Sequence, residues 1–172
     1  IHAALLGVEA KSTFLKVTNN RIVNSRNNQL PDPVEILQEV HKVISPRLIE
    51  LGSFITLFYA RIDSKQNRIT FINAGHPAPI LYRNINKTME LLESNKVPLG
   101  FQNEINYIQR SKEFFNDDAL SLFSDGLLDL RNNGNIAFGE LRLKNLIRNK
   151  IFYNSEKLLE TIRNKIDQFA QG

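Results

Sequence analysis

Phe54-Ile55-Thr56-Leu57-Phe58-Tyr59-Ala60-Arg61-Ile62-Asp63 is the stretch on which the fold turns. Ile55, Leu57 and Tyr59 fall on one face of an extended chain; Phe54, Phe58, Ala60 and Ile62 fall on the other. Apolar residues on both faces predict a strand covered on both sides. Polar Ser64-Lys65-Gln66-Asn67 makes a turn, and Arg68 to Asn73 returns as the antiparallel partner. The loop Asn73-Ala74-Gly75-His76-Pro77-Ala78-Pro79 combines small residues with two prolines, so it is stiff and tightly turned. It leads to short strands over Ile80 to Arg83 and Met89 to Leu92.

Further along, Val97-Pro98-Leu99-Gly100-Phe101 is a turn with apolar anchors, and Asn106 to Phe114 is a strand. Asn116-Asp117-Asp118 turns the chain into another strand, Ala119 to Ser124. The run Leu120-Ser121-Leu122-Phe123-Ser124-Asp125-Gly126 ends abruptly in an acid followed by glycine. It reads as a strand that carries a carboxylate out of the core and turns at once, with Gly126 permitting the turn. An aspartate fixed in that way suits a hard cation, which prefers oxygen donors. Taken alone, the same residues also read as an ordinary Asp-Gly turn between strands.

Helices flank the strands. Ala4, Leu5, Val8, Ser12 and Leu15 recur at helical spacing between Ala3 and about Lys16, predicting an amphipathic helix whose buried stripe they form. Val17 to Leu30 is polar and Asn-rich and reads as irregular. Asp32 as cap, Pro33 at the first helical position and Glu35 in the first turn announce a second helix. Val34, Leu37, Val40 and Ile44 form its buried stripe, joined by Ile36 and Val43. Pro46 kinks or ends it, and Gly52 marks the exit. His41 within it reads as structural.

After Gly126, Leu127 to Arg131 leads to the loop Asn132-Asn133-Gly134-Asn135. Phe138-Gly139 precedes a helix through about Asn149, with Leu143, Leu146 and Ile147 on its apolar side. Ser155 caps a last helix with Leu158, Leu159, Ile162, Ile166 and Phe169 on the buried face. Helices, a run of mostly antiparallel strands, then helices predict a single layered α+β domain over residues 1–172.

Composition narrows the function classes. A chain of 172 residues can bury a substantial core as one domain. Its net charge is +4, but the 22 basic and 18 acidic residues are intermixed, which gives little support to nucleic-acid binding. Cysteine is absent, so disulfides, thiolate nucleophiles and cysteine zinc sites are excluded, in keeping with a reducing compartment. No apolar run approaches the roughly 20 residues that span a bilayer, and no signal peptide opens the chain. It begins at Ile1 rather than Met and so reads as an excised or processed piece. The Asn86-Lys87-Thr88 sequon reads as a chance match in an Asn-rich chain.

Six phrases, in order, carry a resemblance: Asp32-Pro33-Val34-Glu35-Ile36-Leu37, Phe54-Ile55-Thr56-Leu57-Phe58-Tyr59, Asn73-Ala74-Gly75-His76-Pro77, Pro98-Leu99-Gly100, Ser124-Asp125-Gly126-Leu127 and Phe138-Gly139-Glu140-Leu141-Arg142-Leu143. Together they resemble the bacterial metal-dependent serine/threonine phosphatases of the type 2C class, in the stage II sporulation protein E and sigma-factor-regulating branch. Ala3-Ala4-Leu5-Leu6 resembles the helix after that family's first metal motif.

The resemblance implies an α-β-β-α sandwich of mostly antiparallel sheets with flanking helices, and Mn²⁺ or Mg²⁺ at the edge between the sheets. It implies hydrolysis of phosphoserine or phosphothreonine on a regulatory partner protein of the anti-sigma-factor-antagonist type, by metal-activated water, in the cytoplasm. Asp125 matches the family's metal-ligating aspartate, with Gly126 giving the sharp turn. Gly75 and His76 belong to a signature loop near the active-site edge, where His76 reads as architectural. Asp129 reads as a surface or helix-entry residue, and Asp117 and Asp118 as turn residues.

The family's other metal-binding acids, expected just before Ile1 and just after Gly172, are not in this chain. The domain therefore reads as incomplete at both termini, with the 172 residues alone inactive. The rival reading is a non-catalytic phosphatase-like module that binds a regulator or forms a homodimer through open sheet edges.

Overall fold

The computed structural model describes residues 2–24, 30–94, 96–150 and 155–171. Two compact units divide the chain: Ile1–His76 with Glu93–Asn116, and Pro77–Leu92 with Asp117–Gly172. Each has its own three-stranded antiparallel sheet and its own core.

The first unit opens with helix α1, His2–Val23, and continues with α2, Pro33–Glu50. The first helix runs well past its expected end, through residues predicted as irregular; positions 25–29 of that polar stretch lie outside the described residues. Its buried side also differs from the expected one. Ala10 and Val17 are buried and Leu6 and Phe14 pack beside them, whereas Leu5, Val8 and Leu15 point to solvent. The helix carries two apolar stripes, and spacing alone selects the wrong one.

The second helix follows its sequence signals more closely. Pro33 occupies its first turn, and Ile36, Leu37, Val40, Ile44 and Leu48 are all buried. Each such side chain contributes about 1.5–3 kcal/mol of burial free energy. Asp32 sits at the cap but makes no capping bond; its Oδ1 accepts from Arg61 Nη2 at 2.9 Å instead. Pro46 does not end the helix, which continues for four residues to Glu50, and Val43 is exposed rather than part of the stripe.

Strand β1, Leu57–Asp63, pairs with β2, Arg68–Ala74, from Leu57↔Ala74 to Asp63↔Arg68. Asp63 Oδ1 accepts the Lys65 and Gln66 amides at 3.0 Å, fixing the turn between them. The strand expected to be covered on both faces is an edge strand and only half-buried along most of its length. The central strand is β2, buried from Ile69 to Ala74 and flanked on its other side by the strand Arg110–Glu113, here β5. Ile55 lies outside β1 and forms an isolated bridge with Leu99.

In the second unit, β3 (Ile80–Arg83) is central, between β4 (Thr88–Leu91) and β6 (Ala119–Ser121). Helices α3 (Asp125–Leu128), α4 (Gly139–Lys150) and α5 (Ser155–Gln171) complete it. Ile80, Phe138, Leu143 and Ile147 form the core, against which Ile162, Ile166 and Phe169 of α5 pack; Leu159 is exposed. The predicted capping side chain of Ser155 lies outside the described residues.

Candidate metal-ligand site

The approach to Asp125 differs from a simple strand-ending turn. Strand β6 stops at Ser121, and a short extended passage leads into the single helical turn α3, which Asp125 opens. Phe123, Leu127 and Leu128 pack into the core of the second unit, so the chain is anchored on both sides of the acid. Between these anchors Ser124, Asp125 and Gly126 are exposed. The turn is closed by Leu127 N–H donating to Ser124 O at 3.2 Å and Asp129 N–H donating to Asp125 O at 2.8 Å. Asp129 thus ends α3 and is itself exposed.

One carboxylate oxygen of Asp125, Oδ1, accepts the Gly126 N–H at 2.9 Å. Oδ2 has no hydrogen-bond or ion-pair partner among the described residues. Gly126 has helical, not left-handed, backbone angles, and the nearest atom to a Cβ placed on it is Ser124 Oγ at 3.6 Å. It therefore does not supply the special turn conformation expected of it. Its observed contribution is an amide that orients the acid.

An exposed carboxylate with an oxygen free is a chemically suitable ligand for a hard divalent cation. Among the described residues no group of three or more His, Cys, Asp or Glu side chains is placed to hold a metal ion. Asp125 fits as one ligand and needs further oxygen donors to make a centre.

Gly75 and His76 lie in the first unit, at the end of β2, and both are half-buried. Gly75 has φ +78°, and a Cβ there would meet Pro98 Cγ at 2.7 Å. The loop is tied down by Asn73 N–H donating to Ser94 Oγ at 3.1 Å and Lys96 N–H donating to Asn73 O at 3.1 Å. His76 makes no side-chain hydrogen bond among the described residues.

The remaining phrases are accounted for by packing. Gly100 has φ +82°, and a Cβ there would fall 2.5 Å from Leu48 Cβ and 2.9 Å from Ser53 O, so only glycine lets this turn close on α2. Gly100 N–H donates to Ser45 Oγ at 3.2 Å, and that hydroxyl lies 2.8 Å from His41 Nδ1. His41 Nε2 donates to Asn103 O at 3.0 Å, which leaves Nδ1 as an acceptor whose single lone pair is shared between the Ser45 hydroxyl at 2.8 Å and the Tyr107 hydroxyl at 3.2 Å. His41 is buried and fully engaged, as its sequence setting predicts. In the second unit, Arg142 Nη1 donates to Ala137 O and Phe138 O at 2.9 and 3.0 Å, and its guanidinium lies 5.0 Å from the Phe169 ring centre.

Asp118 departs from its reading as a turn residue. Its side chain is 2% exposed and accepts from Arg83 Nη1 at 2.9 Å and from the Asn84 amide at 3.0 Å. Arg83 Nε also donates to Glu90 Oε1 at 2.7 Å. Burial opposes the Arg83 charge, but hydrogen bonds to Glu90 and Asp118 outweigh it and raise the guanidinium pKa. The available sequence signal was a lone arginine ending the apolar run Ile80-Leu81-Tyr82.

A family model described as Stage II sporulation protein E (SpoIIE) matches residues 1–172. The phosphoserine phosphatase RsbP of Bacillus subtilis (strain 168) is 25% identical over 128 residues, covering 73% of this chain and 32% of that protein. The phosphoserine phosphatase RsbU of the same organism is 28% identical over 99 residues, covering 58% of this chain and 29% of that protein. The chain thus spans roughly a third of the length of these curated relatives.

Among solved structures, the SiaA-PP2C domain of Pseudomonas aeruginosa superposes with a TM-score of 0.81 at 17% identity, covering 99% of this chain and 64% of that one. The Mn-presoaked phosphatase domain of the cell fate determinant SpoIIE from Bacillus subtilis gives a TM-score of 0.57 at 13% identity, covering 94% and 66%. At such identities the likeness establishes the fold: mixed helices and antiparallel sheets of the type 2C phosphatase kind.

Proposed function

The chain belongs to the stage II sporulation protein E family, and from that membership we propose that the protein is a metal-dependent serine/threonine protein phosphatase in which Asp125 is a metal ligand. Its substrate is a phosphoserine or phosphothreonine on a regulatory partner of the anti-sigma-factor-antagonist type, and its setting is cytoplasmic signalling. One observation carries the reading. Gly75, Gly100 and Arg142 of the other family phrases are engaged in close packing or internal hydrogen bonds, whereas Ser124-Asp125-Gly126 presents an exposed carboxylate held between buried anchors.

Asp125 would hold Mn²⁺ or Mg²⁺ together with oxygen donors beyond the described residues. Such a cation, when bound, lowers the pKa of water and neutralises charge on a phosphoryl group. Gly126 keeps the Asp125 carboxylate oriented through its amide. Gly75 and His76 enter as the family's active-site loop, with His76 structural. Among the described residues no helix is long and apolar enough to cross a membrane.

The test is Mn²⁺-dependent phosphate release from a phosphoserine peptide by the natural full-length protein. Asp125→Asn keeps the size of the side chain and removes its charge, and is expected to reduce the rate about 100-fold or more, the scale on which loss of a metal ligand acts. Full activity in that variant refutes the ligand assignment; no hydrolysis by the metal-loaded wild type refutes the phosphatase reading. The 172-residue chain alone is expected to bind Mn²⁺ no more tightly than an exposed carboxylate. Tight stoichiometric binding in calorimetry would reveal a donor set built from this chain.

A further inference from the structure

We propose that Asn133-Gly134 is a self-modification site: the Asn133 amide converts spontaneously to a carboxylate, and the conversion unlatches the last turn of α5. The two residues form the exposed tip of the loop between α3 and α4, and no other asparagine in the chain precedes a glycine.

The loop is built around them. Asn132 N–H donates to Ile136 O at 3.1 Å, Asn132 Oδ1 accepts the Ile136 amide at 2.9 Å, and Asn135 N–H donates to Asn132 O at 2.9 Å. Arg131 and Ala137 bridge its base. The Gly134 amide, by contrast, makes no hydrogen bond among the described residues. From the tip, Asn133 Nδ2 donates at 3.1 Å to Gln171 O, in the last turn of α5. That turn also carries Phe169, whose ring centre lies 5.3 Å from that of Phe138, edge-on, and 5.0 Å from the Arg142 guanidinium.

The chemistry follows from the pair. The Gly134 nitrogen attacks Asn133 Cγ and gives up its proton; a C–N bond forms, the Cγ–Nδ2 bond breaks, and ammonia leaves a cyclic imide. Water then opens the ring at either carbonyl, giving aspartate or isoaspartate without oxidant or cofactor. Glycine has no side chain to hinder the closing ring, and its free amide breaks no hydrogen bond to react. In the same loop Asn132 precedes Asn133 and Asn135 precedes Ile136, so the following side chain hinders both.

Either product loses the Nδ2 donor and sets a carboxylate against the Gln171 carbonyl, two acceptors where one hydrogen bond stood. Isoaspartate also routes the backbone through Cβ, which lengthens the turn. Both changes push the loop away from α5. The inference goes beyond the phosphatase reading and does not depend on it: neither Asp125 nor a metal takes part.

The first test ages the natural full-length protein in warm, mildly alkaline buffer and maps its peptides by mass and by isoaspartate-specific methylation. Acid and isoaspartate are expected to accumulate at Asn133 severalfold faster than at Asn132 or Asn135. Cyclisation at Asp125-Gly126 loses water and regains it, so the mass gain of an amide turned acid separates the two sites. Gly134→Ala makes only an ordinary contact with Asn132 Oδ1 at 3.4 Å and is expected to slow the conversion severalfold.

Amide hydrogen exchange reads the latch. Asn133→Asp supplies the aspartate product from the start, and is expected to speed exchange at residues 168–171 severalfold while α4 keeps its rate. Equal conversion at Asn133, Asn132 and Asn135, conversion indifferent to Gly134→Ala, or unchanged exchange at 168–171 in Asn133→Asp would overturn the proposal.

Discussion

Arg83 and Asp118 meet at 2.9 Å one step beyond the last paired residues of β3 and β6, Tyr82 and Ala119. Because Arg83 also holds Glu90 on β4, a single guanidinium joins all three strands of the second sheet. This ion pair bears on function through register. The chain leaving β6 reaches Asp125 four residues later, and a one-residue slip would send every side chain of β6 to the opposite face.

Arg83→Met should therefore destabilise the protein by about 3–5 kcal/mol, since it strands a buried Asp118 carboxylate without its cation. Combining it with Asp118→Asn should cost less than the sum of the two single changes, because the neutral amide no longer needs a counter-charge. Urea unfolding of the two single variants and the double measures this directly. Additive losses would show that the two residues act independently.

The glycines separate structural from functional need. Gly100→Ala forces a Cβ against Leu48 and Ser53 at a left-handed φ, and should cost about 2–4 kcal/mol. Gly126→Ala makes only an ordinary contact with Ser124 Oγ at 3.6 Å in a helical turn, and should leave stability unchanged or raise it by up to about 1 kcal/mol. If the amide of residue 126 only orients Asp125, metal-dependent hydrolysis by Gly126→Ala should also survive. Loss of activity with retained stability would mean that substrate or metal approaches closer at this position than a methyl group allows.

The order of elements was legible because the chain punctuates itself: Pro33 opens α2, a polar turn separates β1 from β2, and apolar runs of limited length mark the strands. What remained hidden were choices made in three dimensions. Both stripes of α1 satisfy helical periodicity, and only packing selects Leu6, Ala10 and Val17 over Leu5, Val8 and Leu15. β1 has the composition of a central strand yet lies at an edge, because sheet order depends on which later strand pairs with β2. Asp118 looked like a turn residue because its partner is 35 positions away. Asp125 was readable as a candidate ligand from its phrase, but the helical turn it opens was not, since Asp-Gly ordinarily signals a tight reversal.

Ser45→Ala tests the contact between α2 and the turn at Gly100. The hydroxyl is buried and serves both the Gly100 amide and His41 Nδ1, so its removal leaves a buried donor without its acceptor. A loss of about 1–3 kcal/mol is expected, with amide exchange at Gly100 accelerating more than the global change requires. Exchange at Gly100 that merely tracks global stability would show that the bond holds nothing locally.

Tyr107 gives the alkaline limit of stability. Burial raises its phenol pKa above the ordinary value, because a phenolate beside His41 would lose its hydration. The unfolded chain releases that proton at about pH 10, earlier than the folded one does. Its contribution is therefore complete below the unfolded value, and is lost as pH rises from there through the raised folded value. Tyr107→Phe removes the 3.2 Å bond to His41 Nδ1 and should cost about 1 kcal/mol at neutral pH. The variant should then lose stability less steeply than wild type above about pH 10. Thermal midpoints of both proteins across pH 7 to 11 measure the two effects together, and parallel curves throughout that range would show that the phenol ionises in the folded protein as it does in the unfolded chain.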